Sequence, residues 1–134
     1  MKRSPERDYS HRSLIEKLGV RPDHRVCAID VTAAEFLTLL ENAVEQATAR
    51  ALHGKYDIVF LQIDGVRALE KIARAADHLE PTGVLWIIHP KGKGASPPDS
   101  EVRAAGLATG LVDNKISAYN ETHTATRYVH RKRS

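Results

Sequence analysis

Tyr56-Asp-Ile-Val-Phe-Leu-Gln-Ile-Asp64 opens the stretch of sequence that decides the fold, which runs to Gly94 without a long polar break. Its apolar part, 57–63, is short and rich in β-branched residues, as buried strands are. From Gly65 to Leu79 the apolar residues recur at helical spacing, and 84–88 forms a second apolar run. A strand, a helix and a strand in this order predict a parallel βαβ unit with both faces of its sheet covered.

Segments on the N-terminal side extend this unit. A short predicted helix ends at Gly19, a strand follows over 25–30, and a longer helix begins with Thr32 as its capping residue. The segment 46–52 suits either a continuation of that helix or a short edge strand. The strand is favoured because Gly54 must lead directly into the next central strand.

Segments on the C-terminal side complete the sheet. The spacing predicts a helix over 101–109 and two final strands, over 111–119 and 125–130. These strands are close enough in sequence to pair as an antiparallel hairpin. The whole pattern therefore predicts a three-layer α/β fold with a mostly parallel sheet and an antiparallel last strand.

Length and charge indicate one domain between two basic tails. The chain has 134 residues, and we assign a disordered basic tail to 1–11, one domain to 12–130 and a second basic tail to 131–134. The net charge of +3 is concentrated near the termini. The cluster Arg131, Lys132 and Arg133 could bind nucleic acid through phosphates, although a solvated terminus is the simpler interpretation. Only 5% of residues are aromatic and none forms a stacking motif, so nucleic acid is not the expected partner.

Several classes of protein are excluded by composition. No apolar run reaches the roughly 20 residues of a membrane-spanning helix, and the N-terminus lacks a secretory signal, so we expect a cytoplasmic protein with no membrane partner. The single cysteine, Cys27, lies in an apolar strand and is expected to be a buried hydrophobic residue. The histidines have no metal-ligand spacing, so no metal is expected.

Three further motifs carry a resemblance to a known family. Gly19-Val-Arg-Pro-Asp-His-Arg-Val26, Leu79-Glu-Pro-Thr-Gly-Val-Leu-Trp86 and the passage 105–116 resemble, in order, motifs of class I methyltransferase domains. More narrowly, the chain resembles a small bacterial family of shortened methyltransferase-like domains, for which no activity is established. The resemblance implies a trimmed, Rossmann-like, class I methyltransferase-like fold.

The cofactor motifs of that family are missing. The turn 29–34 after the first strand contains no glycine, whereas an active methyltransferase has a glycine-rich turn that lets backbone amides approach S-adenosylmethionine. No convincing acidic residue ends a second strand to bind ribose. The resemblance therefore implies a non-catalytic binding or regulatory domain without a cofactor, whose partner could be another protein or a second copy of the chain. An S-adenosylmethionine-dependent methyltransferase with an atypical cofactor site is the first alternative, and a nucleic-acid-associated protein using its basic termini is the second.

Candidate site residues follow from sheet geometry, because ligands of open α/β sheets gather at the carboxyl ends of the strands. An acidic residue, a histidine and the lysine-glycine loop there could bind a small anion. Asp64 has a simpler interpretation as a helix N-cap, and the loop as a solvated crossover. No catalytic residue is assigned. The candidate ligand-binding residues are Asp30, Asp64, His89, Lys91, Gly92, Lys93, Glu121 and His123.

Overall fold

The computed structural model describes residues 14–132. The predicted N-terminal tail, 1–11, and Arg133 lie outside the described residues. Residues 14–17 are helical and precede the strands and helices named below. The strands are β1 (Val26–Ile29), β2 (Tyr56–Gln62), β3 (Leu79–Pro90), β4 (Leu111–Ala118) and β5 (His123–His130). The helices are α1 (Ala34–Ala43), α2 (Lys71–Ala76) and α3 (Asp99–Leu107), and a 3₁₀ helix, Val66–Glu70, leads into α2.

The five strands form one open sheet in the order β1-β2-β3-β5-β4. β1, β2 and β3 are parallel, and β5 runs antiparallel to both of its neighbours, β3 and β4. The parallel strands are joined through helices, as parallel connections require. The predicted mixed sheet, with a reversed final strand, is confirmed.

Apolar clusters cover both faces of the sheet. On one face, Phe36 and Leu40 of α1 pack against Phe60 and Trp86. On the other face α2 and α3 pack against the sheet, and a central contact is Ile72, which is fully buried. Alternation of side chains along each strand supplies both clusters, so the arrangement is the predicted three-layer α/β fold. No helix within 14–132 is both long and apolar enough to cross a membrane.

Three local predictions need correction. The segment 46–52 contributes one isolated parallel bridge, Cys27 to Ala49, and no regular strand or helix. Thr32 does not cap α1, because Ala33 is at the N-cap position and makes no side-chain cap. Residues 80–83, which separate the predicted helix from the apolar run 84–88 and were therefore expected outside the strand, lie inside β3, where the pairing with β2 jumps from Leu79 to Val84. Local sequence propensity indicated an interruption at 80–83, and the pairing of β3 with β2 continues from Val84 onward.

Candidate functional site

Polar side chains meet at the carboxyl ends of β1 and β2. Gln62, a buried residue at the end of β2, accepts from the Thr32 amide at 3.1 Å and donates from Nε2 to Thr32 Oγ1 at 3.1 Å. The same Nε2 donates to Asp64 Oδ2 at 2.6 Å. His123 Nε2 in turn donates to Asp64 Oδ1 at 2.7 Å. The structure thus brings together two predicted site residues, Asp64 and His123, through a network that spans three segments of chain.

The turn before β5 fixes the His123 side chain. Asn120 Oδ1 accepts from the amides of Thr122 and His123, at 2.9 and 2.8 Å. Thr122 Oγ1 lies 2.7 Å from His123 Nδ1 and 3.2 Å from Asn120 Oδ1. Its hydroxyl proton can point to Nδ1 when the imidazole is neutral or to Asn120 when it is charged. The Nδ1 side of the ring therefore has a hydrogen-bond partner in Thr122.

The charge of Asp64 is stabilised within this network. Partial burial opposes ionisation, but hydrogen bonds from Gln62 and His123 outweigh it and hold the pKa of Asp64 below its ordinary value. The 3₁₀ helix begins with Gly65 at the N-cap position and has no side-chain cap, so the interpretation of Asp64 as an N-cap is wrong. Asp64 instead orients a histidine, as carboxylates do in acid–base sites.

Asp30 lies apart from this network. Its carboxylate forms an ion pair with Lys71 of α2, and both side chains are about half exposed. Such an exposed pair contributes at most about 1 kcal/mol. The backbone of Asp30 has a φ of 60°, the left-handed region that glycine adopts most easily. The turn geometry that usually requires glycine is therefore present here in a residue with a side chain.

Apolar side chains of the turn after β1 and of α1 are buried together. Val31 and Phe36 are each only 3% exposed and belong to the apolar cluster beneath α1. Phe36 packs edge-to-face on Phe60 and on Tyr119, with ring centroids 5.1 and 5.0 Å apart. Because Thr32 donates its amide to Gln62, this part of the turn is bonded within the protein as well as packed.

His89 lies on the other side of β3, facing α3. His89 is 4% exposed, and its Nε2 lies 2.9 Å from Thr126 Oγ1. Its Nδ1 lies 3.3 Å from Asp99 Oδ1 but makes no hydrogen bond. Burial lowers the pKa of His89, and the nearby Asp99 carboxylate offsets this only in part. A cavity of about 270 Å³ adjoins the ring and is also lined by Lys91 and Tyr128.

The remaining predicted site residues are on the surface. Lys91, Gly92 and Lys93 are exposed, and the Lys91 amide donates to Thr122 O at 3.1 Å. Glu121 is exposed in the turn before β5. The eight candidate residues therefore divide into an edge network, a buried histidine, an ion pair and exposed loops, rather than forming one pocket.

Two other predictions from the sequence concern nucleic-acid binding and metal binding. Arg131 and Lys132 are exposed beyond β5, and a role in nucleic-acid binding stays a prediction. Among residues 14–132, no three His, Cys, Asp or Glu side chains group as metal ligands.

Sequence reasoning missed residues that the fold brings to these sites: Gln62, Lys71, Asp99, Asn120 and Thr126. Gln62 had a usable signal, because an amide side chain in a strand buried on both faces needs hydrogen-bond partners. Lys71 had none, since it lies 41 positions from Asp30 and looks like an ordinary exposed helix residue.

Comparison with known proteins finds solved structures of similar fold. No family model and no curated protein matches the sequence. Magnesium protoporphyrin IX methyltransferase from Synechocystis PCC 6803, solved with bound S-adenosylmethionine, is 14% identical, with a TM-score of 0.65 over 92% of this chain and 77% of that one. A methyltransferase from Pyrococcus furiosus is 13% identical, with a TM-score of 0.57 over 87% and 80%.

A third solved structure has a similar fold. The O-methyltransferase family protein from Burkholderia thailandensis is 14% identical, with a TM-score of 0.63 over 92% of this chain and 56% of that one. At such low identity these likenesses concern the fold alone. The chain has a shortened, class I methyltransferase-like fold, as its sequence motifs predicted.

Proposed function

We propose that this chain is a non-catalytic binding or regulatory domain, built on a methyltransferase-like scaffold whose cofactor site no longer accepts S-adenosylmethionine. The main support for this proposal is the structure of the turn after β1. Asp30 is paired with Lys71, the Thr32 amide is bonded to Gln62, and Val31 is buried in the apolar cluster. The groups that a cofactor would need at this turn are used within the protein.

The cost of reopening the turn supports the proposal. A ligand that displaced Val31 and Phe36 from the apolar cluster would expose them to water, at about 1.5–3 kcal/mol for each side chain. Such a cost would weaken cofactor binding by about a hundredfold or more. A second feature also argues against cofactor binding. The segment 50–54 that follows the Ala49 bridge contains Arg50 and His53 but no acidic residue to bind ribose.

Calorimetric titration with S-adenosylmethionine and S-adenosylhomocysteine tests this proposal. We expect no binding heat at millimolar ligand, for the parent chain and for Asp30→Ala alike, because the turn is closed by Val31 and Phe36 as well as by the ion pair. Micromolar binding that disappears in Asp30→Ala would contradict the proposal and favour the enzyme alternative.

A methyltransferase with an atypical cofactor site is the second candidate, and the edge network favours it. His123 and Asp64 form an oriented pair that could take a proton from a methyl acceptor. The Synechocystis enzyme of similar fold was solved with S-adenosylmethionine bound. Under this alternative His123→Gln would keep cofactor binding and lose methyl transfer, whereas under the leading proposal neither variant nor parent binds the cofactor.

A further inference from the structure

A groove opens on the face of the sheet covered by α2, away from the edge network. It has a volume of about 390 Å³, which is within the roughly 300–1,000 Å³ typical of small-molecule sites. One wall is the segment 50–53 and the other is α2 with the residues after it. The sheet strands β1 and β2 supply its floor through Ile29 and Leu61.

The groove exists because the sheet stops at β1. Beyond β1 the described part of the chain makes one bridge, at Ala49, and then returns through 50–55 to the start of β2. Tyr56 Oη holds this return, donating to Ala51 O at 3.1 Å and accepting from the His53 amide at 3.0 Å. Across the base, His78 Nδ1 lies 2.6 Å from Gly54 O. Hydrogen bonds thus fix both walls, and the groove is formed in advance of any ligand.

The floor and the inner sides of the groove are apolar. Ile29 and Leu52 are partly buried, while Leu61 and Ala75 are almost fully buried beneath them. A surface of this kind favours the hydrocarbon or aromatic part of a ligand, because burial removes apolar area from water on both sides.

The rim of the groove is positively charged. Arg50, Lys71 and Arg74 line it with a single carboxylate, Asp30, which is already paired with Lys71. Within the residues that the structure describes, neither arginine contacts a carboxylate. Two guanidinium groups without acidic partners beside an apolar floor are suited to a phosphate or carboxylate, which arginine binds through paired hydrogen bonds.

We propose that this groove binds a small organic anion, with its phosphate or carboxylate held by Arg50 and Arg74 and its apolar body on Ile29 and Leu61. The inference rests on the proposed function as a binding domain and names the class of ligand. Charge and floor are both needed. An inorganic anion would use only the rim, and a neutral hydrocarbon would use only the floor.

The probe that tests this proposal is naphthyl phosphate, added to the isotope-labelled full chain while amide chemical shifts are recorded. We expect saturable shifts in 50–53 and 71–78, and binding at least about tenfold weaker for inorganic phosphate or naphthol at neutral pH, because each supplies only half of the contacts. Naphthoate in parallel distinguishes a carboxylate site from a phosphate site. Naphthol binding as tightly as the two anions, or no saturable shift with either anion at millimolar concentration, would overturn the proposal.

Charge-reversal variants make the test specific. Arg50→Glu and Arg74→Glu should each weaken binding at least about tenfold while keeping the parent's spectrum elsewhere. Arg67→Glu is the matched control, since Arg67 is an exposed arginine seven positions before Arg74 that does not line the groove. Equal affinity in Arg74→Glu and Arg67→Glu would overturn the assigned site. S-adenosylmethionine added to the same sample would shift amides in 30–36 if the proposed function were wrong, so the two failures are distinguishable.

Discussion

At the scale of single residues, Gly83 shows how one missing side chain permits the fold. It is buried in β3 at the end of the irregular segment 80–83. A Cβ at this position would lie 2.8 Å from Tyr56 O and 2.9 Å from both Glu80 N and Glu80 O. These are backbone atoms of the sheet, which cannot move aside as the end of a flexible side chain could.

We therefore predict that Gly83→Ala lowers the free energy of unfolding by about 1–3 kcal/mol, the usual cost of overpacking. Urea denaturation measures this change. Thr82→Ala is the matched control, because Thr82 is exposed one position away and its substitution should change stability by less than about 0.5 kcal/mol. Equal midpoints for Gly83→Ala and the parent would contradict the steric argument.

At the scale of elements, β3 is the central strand that joins the parallel and antiparallel parts of the sheet. It pairs with β2 in parallel and with β5 in antiparallel register, so its polar residues must be satisfied by neighbouring strands. His89 meets this requirement through Thr126 of β5, while its other ring nitrogen faces Asp99 of α3. The protonation of one histidine is thereby linked to the packing of α3 on the sheet.

The pKa of His89 is lowered in the folded state, so the unfolded chain binds this proton more readily. We predict that His89 makes stability fall as the pH drops below about 6.5, where an unfolded histidine titrates, towards the lower folded pKa. Unfolding measured by denaturant from pH 8 to pH 5 should show a shallower pH dependence in His89→Gln than in the parent. Parallel curves would show that His89 does not carry this effect, whatever the overall stability of the variant.

The elements could be predicted from sequence better than the site could. Apolar runs and helical spacing identified all five paired strands and the helices on them, because these patterns are local and reflect burial. The candidate site was predicted only as residues at strand ends. Asp64 with His123 and Asp30 with Lys71 are pairs separated by 59 and 41 positions, and no local pattern reveals which partner each carboxylate takes.

At the scale of the whole molecule, the methyltransferase-like fold has three distinct regions around the carboxyl ends of its first strands. The carboxyl edge carries the Asp64–His123 network, and Val31 and Phe36 are buried at and just after the turn that follows β1. The groove beside α2 is lined by two arginines that, within residues 14–132, contact no carboxylate. A shortened sheet accounts for the groove, since within residues 14–132 β1 has only the Ala49 bridge beyond it. The proposed loss of the cofactor site and the opening of the groove would then be two consequences of the same shortened fold.

The central claim, that the turn after β1 is closed to the cofactor, is tested most directly by mapping amide chemical shifts on addition of S-adenosylhomocysteine. The account predicts no saturable shift in 30–36 or at Gln62 and Asp64, even at millimolar ligand, while the spectrum remains that of a folded protein. Saturable shifts centred on these residues at micromolar ligand would contradict it and assign the chain to the cofactor-binding methyltransferases.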